Sequence, residues 1–360
     1  MNEKLEQLRQ EAVSEEMVYQ PDFNQPHPLD PPILRRKKNS VYHHSGQPQM
    51  QVEVILASMP VGSQDHKPII TVRMRYPRPI HGEIMTHRVF GRNARSSRAV
   101  PVMTMLNEVE TIPYVPWHWL KNKPGMQGTE PLSEKETEIA KIIWLQSRDD
   151  AVASVKALYD PDGLNIHKQN PNRLLEPFSW IDTLITSTEW DNFLWLRDHH
   201  AAEPHLQDLA RLVKEAFLHM DIQPLQKDEW HQPYISVSDI QNLIMRPDRD
   251  TEQMIDEMGY DGDELLNMVS AARCARISYK PFDGNASYEK EIDRYNLLVS
   301  SDRVHASPLE HQAKADTPLI CPTSGQFHGW VEPHLHGNLN GYIQARKLIP
   351  NEVHTEITAL

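Results

Sequence analysis

Residues 68–98 read PIITVRMRYPRPIHGEIMTHRVFGRNARSSR. The first part sets Ile70, Val72, Met74 and Tyr76 in alternation with Thr71, Arg73 and Arg75, the period-two pattern of a strand with one buried face. Pro77 and Pro79 end it. Pro79 suits a helix start, where its missing N–H has no partner anyway, so PIHGEIMTHRVF (79–90) is predicted as a helix. The run His87–Arg98 then holds Arg88, Arg92, Arg95 and Arg98 and no acid, in a chain with 37 Lys+Arg against 50 Asp+Glu and net charge −13. A guanidinium cluster against the global sign needs a cause. Gly91 permits close backbone approach, and Asn93, Ser96 and Ser97 add donors. Such a run can surround a phosphate with forked, charge-assisted hydrogen bonds. Two other readings remain open at this point. Residues 88, 92 and 95 have the spacing of a solvated helix face, although Gly91, Asn93, Ser96 and Ser97 are poor helix-interior residues. A local nucleic-acid contact is the third, while the acidic balance excludes a protein that coats nucleic acid by bulk electrostatics.

Outward from this stretch, QVEVILASM (51–59) reads as a second strand. Ser133 and Glu136 form a capping-box pattern for a long helix through Leu158. EWDNFLWLRD (189–198) is predicted as a short helix whose Trp190, Phe193 and Trp195 pack in the core, and PHLQDLARLVKEAFLHM (204–220) as another with Pro204 in its first turn. Helices are also predicted at 264–276 and 287–300, a strand and turn at ISYKPFDG, and a final short helix near 340–348. Residues 2–18 read as an amphipathic helix, followed by a Pro-rich arm with a basic run at Arg35–Lys38. The expected organisation is an N-terminal helix and arm at 1–48, a first catalytic half at 49–225, a linker or insertion at 226–262, and a second half at 263–360.

Cys274 and Cys321 are the two cysteines, which excludes a disulfide framework and any site needing three thiolates. Both are expected to be inert thiols. His199, His200, His205, His334 and His336 lack HExxH or another diagnostic ligand spacing, so no metal is expected. No apolar run is long enough to cross a membrane, and the charged start lacks the apolar segment of a secretory signal. A cytoplasmic protein is expected.

EIMTHRVFGRNARSSRA (83–99) resembles the R-H-R-x7-S-x-R signature of flavin-dependent thymidylate synthases. TEWDNFLWLRDHHAAEPHLQDLA resembles that family's Asn and substrate-Arg segment followed by its Ala-Gln-x-Glu-like helix. SAARCARISY is similar to its AARVSF-type stretch, and HASPLEHQA to its H-x-T-P-x-E-H motif. The last two segments come first in the usual member and last here, so the chain resembles a circularly permuted relative of a type associated with bacteriophage genomes. Permutation is tolerable where the original termini lie close together at the surface.

The resemblance implies an α+β fold, a mixed sheet flanked by helices. By position, it implies that His87, Arg88, Asn192, His305, Ser307 and Glu310 face FAD, that Ser96 and Arg98 hold the nucleotide phosphate, and that Arg197 contacts the pyrimidine. Arg197, Ser96 and Arg98 are the catalytic candidates. Glu83, Arg95, Ser97 and Glu203 complete the candidate substrate set, with Gln344, Arg346 and Lys347 as further donors. Four positions depart from the family: Thr86 for an Arg, Ala94 for an acid, and Glu83 and Glu203 each for a Gln. The implied reaction is C5 methylation of dUMP with methylenetetrahydrofolate, reduced FAD and NADPH, in a homo-oligomer, a tetramer or a dimer. Neither a membrane nor nucleic acid is expected as the main partner. Two alternatives stand beside it: a hydroxymethylase of dUMP or dCMP serving phage DNA, and a catalytically inactive nucleotide- or RNA-binding relative.

Overall fold

The computed structural model describes residues 41–245, 247–278, 287–300 and 304–353. The expected helix and arm up to residue 40, and most of ISYKPFDG, lie outside them, while the last residues of the expected arm, 41–48, enter a strand pair. The fold is α+β, as expected. Its main sheet runs β1 (Val41–His44), β2 (Gln47–Pro60), β3 (Ile69–Pro77), β5 (Trp180–Ser187) and β4 (Gly91–Ala94) in spatial order, all antiparallel. β6 (Gln223–Leu225) joins the end of β2 in parallel, making the sheet mixed. A smaller sheet pairs β7 (Trp230–His231), β8 (Ala313–Ala315) and β11 (Tyr342–Gln344), and β9 (Pro318–Ile320) pairs with β10 (Phe327–Trp330).

The predicted helix at 79–90 is only one turn. A 3₁₀ turn at Arg78–Ile80 leads into α1 (His81–Ile84), and the chain then breaks into turns before β4. The Thr86 hydroxyl donates to Glu83 O at 2.6 Å, a local bond that competes with helix continuation. Further helices are α2 (Val102–Thr111), α3 (Glu134–Tyr159), α4 (Pro171–Leu175), α5 (Trp190–Arg197) and α6 (Pro204–Leu218). The capping box of α3 forms as predicted. Residues 226–262, expected as a linker, instead contain β7, α7 (Val237–Ile240) and α8 (Arg249–Met258), with Ile235 and Leu243 buried. α9 (Gly262–Ala275) and α10 (Tyr288–Val299) pack on these residues through Leu265, Val269 and Ile292. Near 340–348 the chain forms β11 and then a 3₁₀ turn, Ala345–Leu348.

β3 departs from the one-face expectation, since all nine of its residues are buried. On one face Ile70, Val72, Met74 and Tyr76 meet Phe193 of α5 and Leu206, Leu209, Ala210 and Val213 of α6. The other face lies against the C-terminal half of the chain, where Leu184 of β5 packs with Cys274 and Ile277. Buried polar groups there need partners. Arg73 pairs with Glu53 at 2.7 Å, and Arg75 pairs with Asp182 at 2.9 Å and Glu108 at 2.7 Å. The sheet is thus the middle of three layers, and its second face is polar.

Candidate active site

The arginine-dense run does not form one cradle. Arg92 Nη1 donates to Met85 O (2.9 Å) and His87 O (3.1 Å), holding the turn that carries His87. Arg95, expected at the substrate, is buried and bonds Glu108 Oε2 at 2.7 Å, which joins it to the Arg75–Asp182 pair. Ser97 is also buried and donates to Glu176 Oε1 at 2.6 Å. Both therefore belong to the core, because each meets a carboxylate from another element. Ser96 and Arg98 remain on an exposed turn, with Ser96 Oγ accepting the Arg98 N–H at 3.3 Å.

Arg197, the last residue of α5, folds back onto the turn after α1. Its Nε donates to His87 Nε2 at 2.9 Å, and its Nη2 to Thr86 Oγ1 at 2.9 Å and Glu83 O at 3.4 Å. Nη1 lies 3.5 Å from Glu83 Oε2. The His87 ring stacks on Phe90 and meets Phe193 edge-on, with centroids 5.5 and 5.1 Å away. A ring nitrogen that accepts from a guanidinium carries no proton, so His87 is the neutral tautomer protonated at Nδ1. Burial first, and then the Arg197 and Arg92 charges, push its pKa down to about 4. His87 thus acts through Arg197, fixing the guanidinium plane. The Glu83 carboxyl is raised by partial burial and by the Glu203 charge, against the pull of Arg197. Glu203 caps α6, accepting from Leu206 N at 2.7 Å, and its other oxygen lies 2.5 Å from His205 Nδ1.

The other two motifs meet this region at β4. Gly91 packs directly on Glu310, where an added Cβ would lie 3.1 Å from Glu310 Cβ and 3.2 Å from its carbonyl oxygen. Asn93 Nδ2 donates to Cys274 O at 3.4 Å, and the Gln312 side chain bonds Ser270 Oγ at 3.0 Å. Glu310 is salt-bridged to Arg346, and Gln344 Nε2 donates to Glu310 O at 3.2 Å. Arg346 and Lys347 also pair with Glu352. These three donors therefore serve carboxylates and carbonyls of the protein itself.

The turn that bears Glu310 is tied to the sheet by a feature the motifs did not announce. Ser58 Oγ, His231, Thr71 Oγ1, Thr186 Oγ1 and His311 Nδ1 form an unbroken buried chain of hydrogen bonds, each 2.6–2.9 Å. Threonines at inward positions of β3 and β5 are its only sequence signal. His311 Nε2 has no partner among the described residues, and burial pushes the ring down to about 3.

Of the candidate flavin-facing residues, Arg88, Asn192, His305 and Ser307 are exposed. Trp190 and Phe193 are core, but Trp195 is 76% exposed on the outward face of α5 and not packed as expected. Burial pushes the Cys274 thiol up, as an inert group requires. Cys321 differs, because hydrogen bonds from Ser324 and Thr323 lower it to about 6.

No known family model and no curated protein matches the chain. Among solved structures, a UMP/dUMP methylase PolB from Streptomyces cacaoi bound with 5-Br UMP is 16% identical over 47% of this chain and 88% of that one, with a TM-score of 0.39. The flavin-dependent thymidylate synthase ThyX of Helicobacter pylori, complexed with FAD and dUMP, is 20% identical over 41% of this chain and 67% of that one, with a TM-score of 0.27. Both scores lie below 0.5, where overlap does not by itself establish a shared fold.

Proposed function

We propose that the chain transfers a one-carbon unit to C5 of a pyrimidine deoxynucleoside monophosphate, the chemistry implied by its resemblance to flavin-dependent thymidylate synthases. One observation carries the reading. Three motif segments that lie far apart in sequence meet the fourth at β4 and the turn before it: Arg197 on His87 and Thr86, Glu310 on Gly91, and Cys274 O on Asn93.

The physical task is to make C5 nucleophilic without a thiolate. Negative charge then builds on the ring's carbonyl side. Arg197, held in plane by three neighbours, would stabilise it as a preorganised donor. Ser96 and Arg98 would anchor the phosphate, a proximity contribution. The exposed polar side chains of Arg88, Asn192, His305 and Ser307 are of the kind that suits an anionic pyrophosphate and a polar ring edge, which supports FAD as the group they would hold. Glu310 would join them, with its carboxylate oriented by Arg346. When bound, reduced flavin supplies hydride. Methylenetetrahydrofolate as the carbon donor and NADPH as the reductant follow from the same resemblance.

The test is direct. Purified protein is supplied with FAD, methylenetetrahydrofolate and NADPH and given dUMP or dCMP. A nucleotide product heavier by about 14 mass units is the methyl product, and one heavier by about 30 is the hydroxymethyl product. R197A is expected to lower the rate by about a hundredfold or more. Protein that takes up no flavin and alters neither nucleotide refutes the proposal and leaves the inactive binding relative.

A further inference from the structure

Arg197 is immobilised by His87, Thr86 and the Glu83 carbonyl, and its Nη1 stands 3.5 Å from Glu83 Oε2. The Glu83 side chain is 43% exposed, and its Oε1 bonds to nothing among the described residues. A fixed donor and a reachable carboxylate oxygen thus stand side by side. Partial burial, and then the Glu203 charge, raise the Glu83 carboxyl. Glu203 is itself fixed, as the cap of α6 and the partner of His205. We propose that Glu83 and Arg197 read the polar edge of the base and select a 4-aminopyrimidine, cytosine, over uracil. This rests on the pyrimidine-nucleotide reading of the site given above.

The selection follows from counting donors and acceptors. Cytosine offers adjacent acceptors at O2 and N3 and an amino group with two N–H. Arg197 Nη1, whose N–H groups are not given to His87, Thr86 or the Glu83 carbonyl, donates to N3, and the amino group donates to Glu83. Uracil offers one N–H between two carbonyl oxygens. If Arg197 serves one carbonyl and Glu83 takes the N3–H, the other carbonyl is left beside the Glu83 carboxylate with no donor. A site whose polar groups must be left mismatched rejects a ligand more strongly than one that merely lacks a contact.

The full chain is titrated calorimetrically with dCMP and with dUMP at neutral pH, as wild type and as Glu83→Gln. The wild type is expected to bind dCMP about tenfold tighter or more. Glu83→Gln is expected to erase most of that preference, because an amide turns either its oxygen or its NH₂ to the base. An unchanged thermal midpoint certifies the variant's fold. Equal affinities in the wild type, or tighter dUMP, overturn the inference and leave the pyrimidine site standing. A preference that survives Glu83→Gln overturns the assignment to Glu83. Binding of neither nucleotide overturns the reading beneath it as well.

Discussion

His87 shows how a single hydrogen bond fixes a protonation state. Accepting from Arg197 Nε requires a bare Nε2, and both burial and two nearby guanidinium groups oppose a proton there. His81 is likewise pushed down to about 4, by burial first and then by Arg78 and Arg92, and His311 to about 3. All three are neutral in the folded chain down to low pH. The unfolded chain takes up these protons near the ordinary 6.5. Stability is therefore complete above about pH 6.5 and falls as pH drops toward about 4, because the unfolded state binds more protons across that window. The urea midpoint is expected to decline steadily between about pH 7 and pH 5, and a flat or rising midpoint would contradict the neutral histidines. At this scale the sequence was partly legible. Arg197 and His87 stood out through their motifs and do meet. Arg95 and Ser97 looked equally available, but their fate depended on Glu108 and Glu176. Nothing in a run of arginines says which one a distant buried acid will claim.

Among the elements, β4 is the meeting place. Its pairing with β5 is fixed from Gly91↔Thr186 to Ala94↔Thr183, and Gly91 presses on the turn that bears Glu310. The glycine is needed for space. In Gly91→Ala the new methyl would stand 3.2 Å from a carbonyl oxygen that Gln344 holds in place, and 3.1 Å from Glu310 Cβ. The turn must give by a few tenths of an ångström, at a cost of about 1–3 kcal/mol. Chemical denaturation should show that loss, together with weaker flavin uptake than the wild type; an undiminished midpoint would mean the turn yields freely. β3 explains why the layering was illegible. Alternation in PIITVRMRY gave the strand and its apolar face. It could not show that Thr71, Arg73 and Arg75 are covered too, since their cover and partners come from Glu53, Glu108, β5 and the chain's last third. Likewise 226–262 read as a linker or insertion because it is acidic, Pro-containing and of mixed pattern, but Ile235 and Leu243 each fill a place beside α9.

The whole molecule is constrained by the distance β4 imposes. Glu83, His87 and Arg197 gather before the strand begins, and the Ser96–Arg98 turn follows its end. Four extended residues at about 3.3 Å each put roughly 13 Å of rigid chain between the two groups. The long side chains of Arg98 and Arg197 reach inward from either end, so the phosphate and base edge of one nucleotide can be served by two groups of one copy or by groups of two copies. The homo-oligomer implied by the resemblance makes the two-copy arrangement the one to test. Composite sites of this kind are complementable. R98A and R197A should each be inactive alone. Co-expressed or refolded together as a dimer, they should regain roughly a quarter of wild-type activity, because half the assemblies are mixed and each mixed pair contains one intact site. Sizing chromatography on the same mixture establishes that the copies associate. Association without recovered turnover would place both groups in a single protomer's site, and the spacing across β4 would then have to be bridged by the long arginine side chains alone.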